Sequence, residues 1–185
     1  MSKIIDPSDA GYLVPPDIGD VRANYSMGWN EIAKQLQIIL ASLPLVGKVH
    51  RYVKWVKDNP DTEIWQNQFM YKRFDGRMVV NTILISGSTS PESRVSPENS
   101  NAWTRRTSAE LHVLLEIEDP ISWYLWSSML RQIDTCLRNG DRTLGGNCLT
   151  YSLPGPVSAD DVGSFCGVDC HAARIRFQIE EAGIS

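Results

Sequence analysis

Three side chains near the C-terminal end of the sequence belong to the types that bind metals. Cys166, Cys170 and His171 lie within the stretch "SFCGVDCHAARIRFQIEE". Thiolates and imidazoles are the usual zinc ligands, and a Cys-x-x-Cys-His sequence attaches a c-type haem. Here three residues rather than two separate the cysteines. A zinc site would also need a distant fourth ligand, and the other cysteines and histidines show no paired spacing.

The residues that follow His171 alternate between apolar and polar types. The apolar members are Ala173, Ile175, Phe177 and Ile179. A period of two predicts a half-buried strand, on which neighbouring side chains point to opposite faces. Cys170 and His171 are therefore expected not to share a metal. We predict a strand with buried free cysteines, no metal and no cofactor, and keep a small Cys/His metal-binding protein as the less favoured alternative.

The composition is typical of one globular domain. The chain has 185 residues, of which 42% are hydrophobic and 22% charged, with a net charge of −4. This charge does not favour non-specific binding to nucleic acid. No N-terminal apolar run suits secretion and no stretch approaches the ~18 apolar residues of a membrane span, so neither export nor a membrane is expected. Four cysteines are too few for a disulfide scaffold, which favours a reducing compartment.

The first half of the sequence predicts an arm, a helix and two strands. Residues 1–28 combine prolines and aspartates without a sustained period, which predicts an extended arm. In "WNEIAKQLQIILASLPLVG" apolar residues recur every three or four positions, so an amphipathic helix should end near Pro44. A strand is predicted in "GKVHRYVKWVKDNP", and residues 62–74 favour a short helix. After the Asp75-Gly76 turn, "RMVVNTILIS" predicts the next strand.

The second half predicts two loops, a helix and two strands. Residues 87–107 and 141–163 are expected to be long loops. Between them, "SAELHVLLEIE" predicts a strand, and a helix should begin at Asp119-Pro120 and end at Asn139-Gly140. The alternating stretch after His171 is the closing strand.

Together these elements predict the fold class. Residues 29–185 should form a single α+β domain with a largely antiparallel four-stranded sheet, flanked by two main helices and preceded by the extended arm.

The sequence contains no recognisable catalytic constellation. There is no Gly-x-Gly-x-x-Gly after a strand and no Walker-type Gly-Lys-Ser/Thr. His50 and His112 fall within predicted strands, where a structural or surface histidine is commoner than a catalytic base. Glu116 and Glu118 share one strand face, whereas a glycosidase needs carboxylates opposed across a cleft. We therefore expect a protein that is not an enzyme.

Some side chains are better candidates for contacts with a partner or another subunit. Trp103, Arg105 and Arg106 lie in the predicted long loop, and Arg51 and Arg77 lie at or near predicted strands. Trp123 and Trp126 are expected in the core or at a subunit contact.

Several phrases, in their order, resemble one family. "LASLPLVGKVHRYVKW" after an N-terminal helix is similar to the opening of the tail terminator, or tail completion, proteins of long-tailed double-stranded DNA bacteriophages. "FDGRMVVNTILIS", "TRRTSAELHVLLEIEDPISW", "LWSSMLRQIDTCLRNG" and "CHAARIRFQIEE" continue the likeness. The resemblance covers roughly residues 29–183 and rests on pattern and order.

The resemblance implies a structural virion protein located at the tail or neck and assembled in the host cytoplasm. Such subunits form a ring, usually a hexamer, that caps the head-proximal end of the tail tube and stops tube polymerisation. The ring offers the surface to which the head joins, so the implied partners are the tube protein, a head–tail connector or neck protein and, in contractile tails, the sheath. DNA passes through without specific binding. Another neck or head-completion connector protein is the alternative within the virion.

The spacing argument predicts the metal content. Purified protein should contain no stoichiometric zinc or haem, because Cys170 and His171 are expected to face opposite ways and no second ligand pair exists. Elemental analysis checks this. Close to one metal per chain, lost when Cys166 and Cys170 are both replaced by Ser, would contradict it.

Overall fold

The computed structural model describes residues 23–51, 69–73, 75–89, 93–94, 102–118, 120, 122–146, 148, 150–153, 159–165 and 167–184. Most of the predicted arm, and the part of the first predicted strand beyond Arg51, lie outside these residues.

Two helices and eight strands occupy the described part of the chain. Helix α1 spans Ala23–Ala41 and helix α2 spans Ser122–Asn139. The strands are β1 (Lys48–His50), β2 (Met70–Lys72), β3 (Met78–Thr89), β4 (Ser93–Arg94), β5 (Ala102–Glu116), β6 (Thr150–Ser152), β7 (Ala159–Phe165) and β8 (Val168–Ile184).

These strands form one mixed sheet. Its order is β1-β3-β5-β8-β6, with β2 on β3, β4 on β5 and β7 on β8. Strand β1 runs parallel to β3, and the other described pairs are antiparallel. The predicted α+β class is confirmed. The prediction of four strands is wrong, because short strands form within segments whose composition favoured loops.

Both helices cover the same face of the sheet. Odd-numbered residues of β3, β5 and β8 point to that face, as strand alternation requires. They join the buried stripe of each helix in the main core, which includes Ile32, Leu36, Ile83, Leu111, Trp126, Ile133, Ile175 and Phe177. Burying one such side chain contributes about 1.5–3 kcal/mol, so this layer is the main source of stability.

A second, smaller core covers one end of the opposite face. Its members are Phe69, Met70, Val80, Leu84 and Cys170. The Phe69 ring meets the Phe165 ring edge-on at 5.3 Å between centroids. The remainder of this face, along β3, β5 and β8, carries polar and charged residues, and we call it the open face.

Three predicted boundaries need correction. Helix α1 begins at Ala23, so the end of the predicted arm, residues 23–28, is helical. The predicted loop 87–107 is shorter, since β3 extends to Thr89 and β5 begins at Ala102. Small and β-branched residues at the ends of these strands pair across β3 and β5, which local composition did not reveal.

Two further assignments were wrong in part. Met70–Lys72 is a strand rather than part of a short helix, because it pairs with the start of β3 around the turn at Asp75-Gly76. The predicted second loop, residues 141–163, contains β6 and the start of β7, both paired with β8.

A buried ion pair joins β5 to β8 at one end of the sheet. The Arg105 guanidinium donates from Nε and Nη2 to the two carboxylate oxygens of Glu181, at 2.9 and 3.0 Å. Both side chains are almost fully buried, at 7% and 6% exposed. Thr107 Oγ1 lies 3.4 Å from the same carboxylate, and the Trp103 ring lies 5.5 Å from the guanidinium carbon.

Removing one partner of this pair should destabilise the fold. Glu181→Gln removes the carboxylate charge that the buried Arg105 guanidinium contacts through two hydrogen bonds, and the expected loss is about 3–5 kcal/mol of unfolding free energy. Urea denaturation measures it. The matched control is Glu180→Gln, since Glu180 pairs with Arg106 at the surface, at 3.0 Å. This change should cost less than about 1 kcal/mol, and equal losses for both variants would contradict the assignment.

Candidate functional site

The cysteine and histidine of the C-terminal stretch lie on opposite faces of β8. Cys170 is fully buried in the smaller core, whereas His171 lies beneath α2. The predicted opposite orientation is confirmed, and Cys166 lies outside the described residues. Within the described part of the chain, no three His, Cys, Asp or Glu side chains are grouped so that they could hold a metal ion.

His171 instead forms a buried pair with a serine. Ser122 Oγ lies 3.1 Å from His171 Nε2, and the imidazole stacks on Trp126 at 5.6 Å between centroids. A serine beside a histidine is the basic unit of nucleophilic catalysis. Here, however, Ser122 and His171 are only 4% and 8% exposed, so a substrate has no access to the hydroxyl. The pair serves to anchor the start of α2 on β8.

The open face carries a connected set of charges centred on Glu110. Its carboxylate accepts a hydrogen bond from Arg176 Nε and lies 2.7 Å from His112 Nε2. Arg176 faces Glu110 directly across the β5–β8 ladder, and Arg174 faces His112 in the same way. The alternation that buries the odd-numbered residues therefore also assembles this polar row.

These contacts shift the pKa values of the row. Burial raises the pKa of Glu110, but the hydrogen bond from Arg176 and the charges of His112, Arg176 and Arg174 outweigh it, so the net shift is downward. Burial lowers the pKa of His112; Glu110 opposes this, while Arg174 and Arg176 add to it. Glu110 thus stays ionised and His112 stays neutral near pH 7, a stable arrangement without a poised general acid.

A groove of about 870 Å³ lies beside this row. Its lining includes Ser86, Ser108, Glu110, Ser152 and Arg176. The hydroxyls lie in a cross-strand array on the open face, since Ser86 pairs with Glu110 and Ser108 with Gln178. Such a surface suits polar contacts with a partner, and the Ser86 hydroxyl donates to the Glu110 backbone carbonyl at 3.3 Å.

Two of the predicted interface residues lie towards the β1 and β2 side of the sheet. Arg77 is 59% exposed, but its guanidinium forms ion pairs within the subunit with Glu118 at 2.6 Å and Glu116 at 3.7 Å. Arg73 donates to Glu118 as well. Arg51 directly follows β1 and is partly exposed. These two predicted residues are therefore not brought together with the other three.

The other three lie together at the start of β5. Trp103 is half-buried over Arg105, whose guanidinium is engaged inside the subunit by Glu181. Arg106 points to the open face, is 72% exposed and pairs with Glu180. Of the five predicted residues, Arg106 thus presents the most accessible side chain.

Sequence reasoning placed Trp123 in the core or at a subunit contact but did not single out Tyr124 or Val162, and all three side chains are exposed. Trp123 is 57% exposed, Tyr124 75% and Val162 72%. Trp123 and Tyr124 lie outside the buried stripe of α2. The helical spacing of the apolar residues in the sequence therefore could have predicted that both are exposed. Val162 lay in a predicted loop, so only the pairing of β7 with β8 places it opposite His171.

Neither described helix has the length and apolar content of a membrane span. In comparisons with known proteins, no family model and no curated protein matches this chain.

Proposed function

We propose that the chain is a structural virion protein that forms a ring on the head-proximal end of a phage tail tube. The ring stops tube polymerisation and provides the surface for head joining. Its partners are other copies of itself, the tube protein and a head–tail connector, and DNA passes through it without specific binding.

The observation that carries the proposal is the agreement between the quoted phrases and the elements that they form. "FDGRMVVNTILIS" covers the turn and first part of β3, and "TRRTSAELHVLLEIEDPISW" contains most of β5. "LWSSMLRQIDTCLRNG" lies in α2 except for its final glycine, and "CHAARIRFQIEE" lies in β8. The order on which the resemblance rests is thus the order of the long elements.

The distribution of polar groups supports a role in assembly. The Ser122–His171 pair is enclosed, and the charges of the open face are mostly compensated by cross-strand partners. A subunit that works by surface contact needs a stiff scaffold and exposed adhesive side chains rather than a reactive cleft. The long β5–β8 ladder and the exposed Trp123 supply these two properties.

Loss of the protein tests the function directly. In a phage that lacks this chain, tails should have unregulated length and should fail to join heads, because nothing caps the tube. Negative-stain electron microscopy of lysates measures both. Tails of normal length that still join heads would refute the proposal. Normal tails with a failure only at the head would favour the connector alternative.

Arg106 allows a sharper test in vitro. Arg106→Glu changes an exposed charge and should alter the free energy of unfolding by no more than about 1 kcal/mol. It should nevertheless reduce capping, measured as longer tubes when tube protein polymerises in its presence. Lys34→Glu is the control, since Lys34 is an exposed residue of α1 and lies on the helix layer rather than on the open face. Equal tube lengths with both variants would exclude Arg106 from the contact.

A further inference from the structure

One exposed apolar surface surrounds His171 at the edge of the sheet. The Trp123 ring lies 5.7 Å from the imidazole, and Val162 faces His171 across the β7–β8 ladder. Residues opposite each other on neighbouring strands share a face, so Val162 and Trp123 flank the same imidazole. We call Trp123 and Val162 the Trp123 patch. More than half of each side chain is exposed, although both are apolar.

A groove lies between the end of α1 and the outer side of α2. Its volume is about 540 Å³, and its lining includes Leu43, Pro44, Gln132, Thr135 and Cys136. We call it the α2 groove. Gln132 contributes a side-chain carbonyl oxygen, Oε1, that is buried and accepts no hydrogen bond within the described part of the chain. An unsatisfied buried acceptor costs about 1–3 kcal/mol, so this oxygen favours a ligand that brings a donor.

The Trp123 patch has the chemistry that the α2 groove lacks. An indole presents a large apolar body and a single N–H donor with no acceptor. The volume of the groove lies within the about 300–1,000 Å³ typical of binding pockets, which leaves ample room for an indole. Seated there, Trp123 would lose its exposed apolar area, and a rotation of the Gln132 side chain would bring the buried Oε1 to the indole N–H.

The charges beside the two surfaces are also complementary. Arg131 lines the α2 groove and is exposed. Asp169 is exposed on the same side of β8 as His171, two residues earlier, and is a diagonal neighbour of Val162. Within the described residues, neither Arg131 nor Asp169 makes an ion pair, in contrast to Arg138, which pairs with Asp134 on the same helix.

The two surfaces lie on opposite sides of α2. Gln132 follows Trp123 by nine residues, which is about 2.5 turns at 3.6 residues per turn. A two-fold contact would need both surfaces on one self-complementary patch. Separate surfaces instead give a head-to-tail contact, which builds a ring where the rotation between neighbours closes and an open filament where it does not.

We infer that a second copy of this chain occupies the α2 groove with its Trp123 patch, its indole on Gln132 and its Asp169 beside Arg131. The inference rests on the proposed ring and names the contact between neighbouring subunits. It assigns one donating and one accepting surface to every copy.

Site-specific photo-crosslinking tests the contact. A benzophenone amino acid at position 123 should cross-link between chains, to residues 128–136 or 43–44 of the second copy, as mapped by mass spectrometry. The matched control carries the probe at Ile38, which is 53% exposed on α1 and belongs to neither surface. Absence of cross-links between chains at the highest soluble concentration would overturn the inference, as would cross-links that map elsewhere.

A mixing experiment tests the head-to-tail geometry. Trp123→Ser removes the donating surface, and Thr135→Trp fills the groove from an exposed position of α2. Each variant alone should associate at least about tenfold more weakly than the wild type in sedimentation velocity. Its circular dichroism spectrum should be unchanged. An equimolar mixture retains one complete contact and should form a dimer but nothing larger. A mixture as weakly associated as either variant would overturn the inference.

A charge swap isolates the Arg131–Asp169 pair. Arg131→Asp and Asp169→Arg should each weaken association, whereas the double variant should restore it because every contact regains one ion pair of reversed polarity. Additive weakening in the double variant would remove this pair from the contact.

These outcomes separate the contact from the proposed function. Rings that cap tubes while position 123 cross-links elsewhere would remove the contact and leave the function standing. Cross-links at the expected positions would support the contact. If tails had normal length in the absence of the protein, the proposed function would be refuted while the contact stood.

Discussion

The antiparallel pairing of β5 with β8 is the constraint on which the rest of the structure depends. All 15 residues of β5 pair with β8 in one continuous register. Because strand side chains alternate, this register decides at once which residues meet the helices and which form the open face. A slip of β8 by one position would expose Phe177 and bury Arg176 opposite the apolar face of β5, which would disrupt the main core and bury a charge.

The same register determines what the polar residues can do. It matches Arg105 with Glu181, Arg106 with Glu180 and Arg176 with Glu110, so each pair forms across the two strands. The buried pair specifies the register more strongly than the exposed ones, since a slipped Arg105 would lose the two hydrogen bonds to Glu181 in a dry environment. Charges used in this way stiffen a surface and are poorly suited to proton transfer.

The sequence predicted those elements whose periodicity is long and local. The alternation after His171 identified β8 and the opposite orientation of Cys170, and the apolar stripe through Trp126 and Ile133 identified α2. It did not predict β6 or β7, because three and seven residues carry little periodicity and depend on pairing with β8. The contact between Arg105 and Glu181 spans 76 positions, and no local pattern reveals it.

The edges of the described sheet indicate that the proposed ring would use side-chain contacts rather than an added strand. At β1, Gln37 of α1 donates its amide to the Val49 carbonyl at 2.7 Å, which occupies backbone that a neighbouring strand would need. At the other edge, β6 is three residues long, and the β7–β8 pairing is irregular between Ala159 and Asp161. Short and irregular edge strands disfavour pairing between chains. In the proposed ring, a subunit with such edges would contact its neighbours through exposed side chains, and Trp123, at 57% exposed, supplies one beside β8.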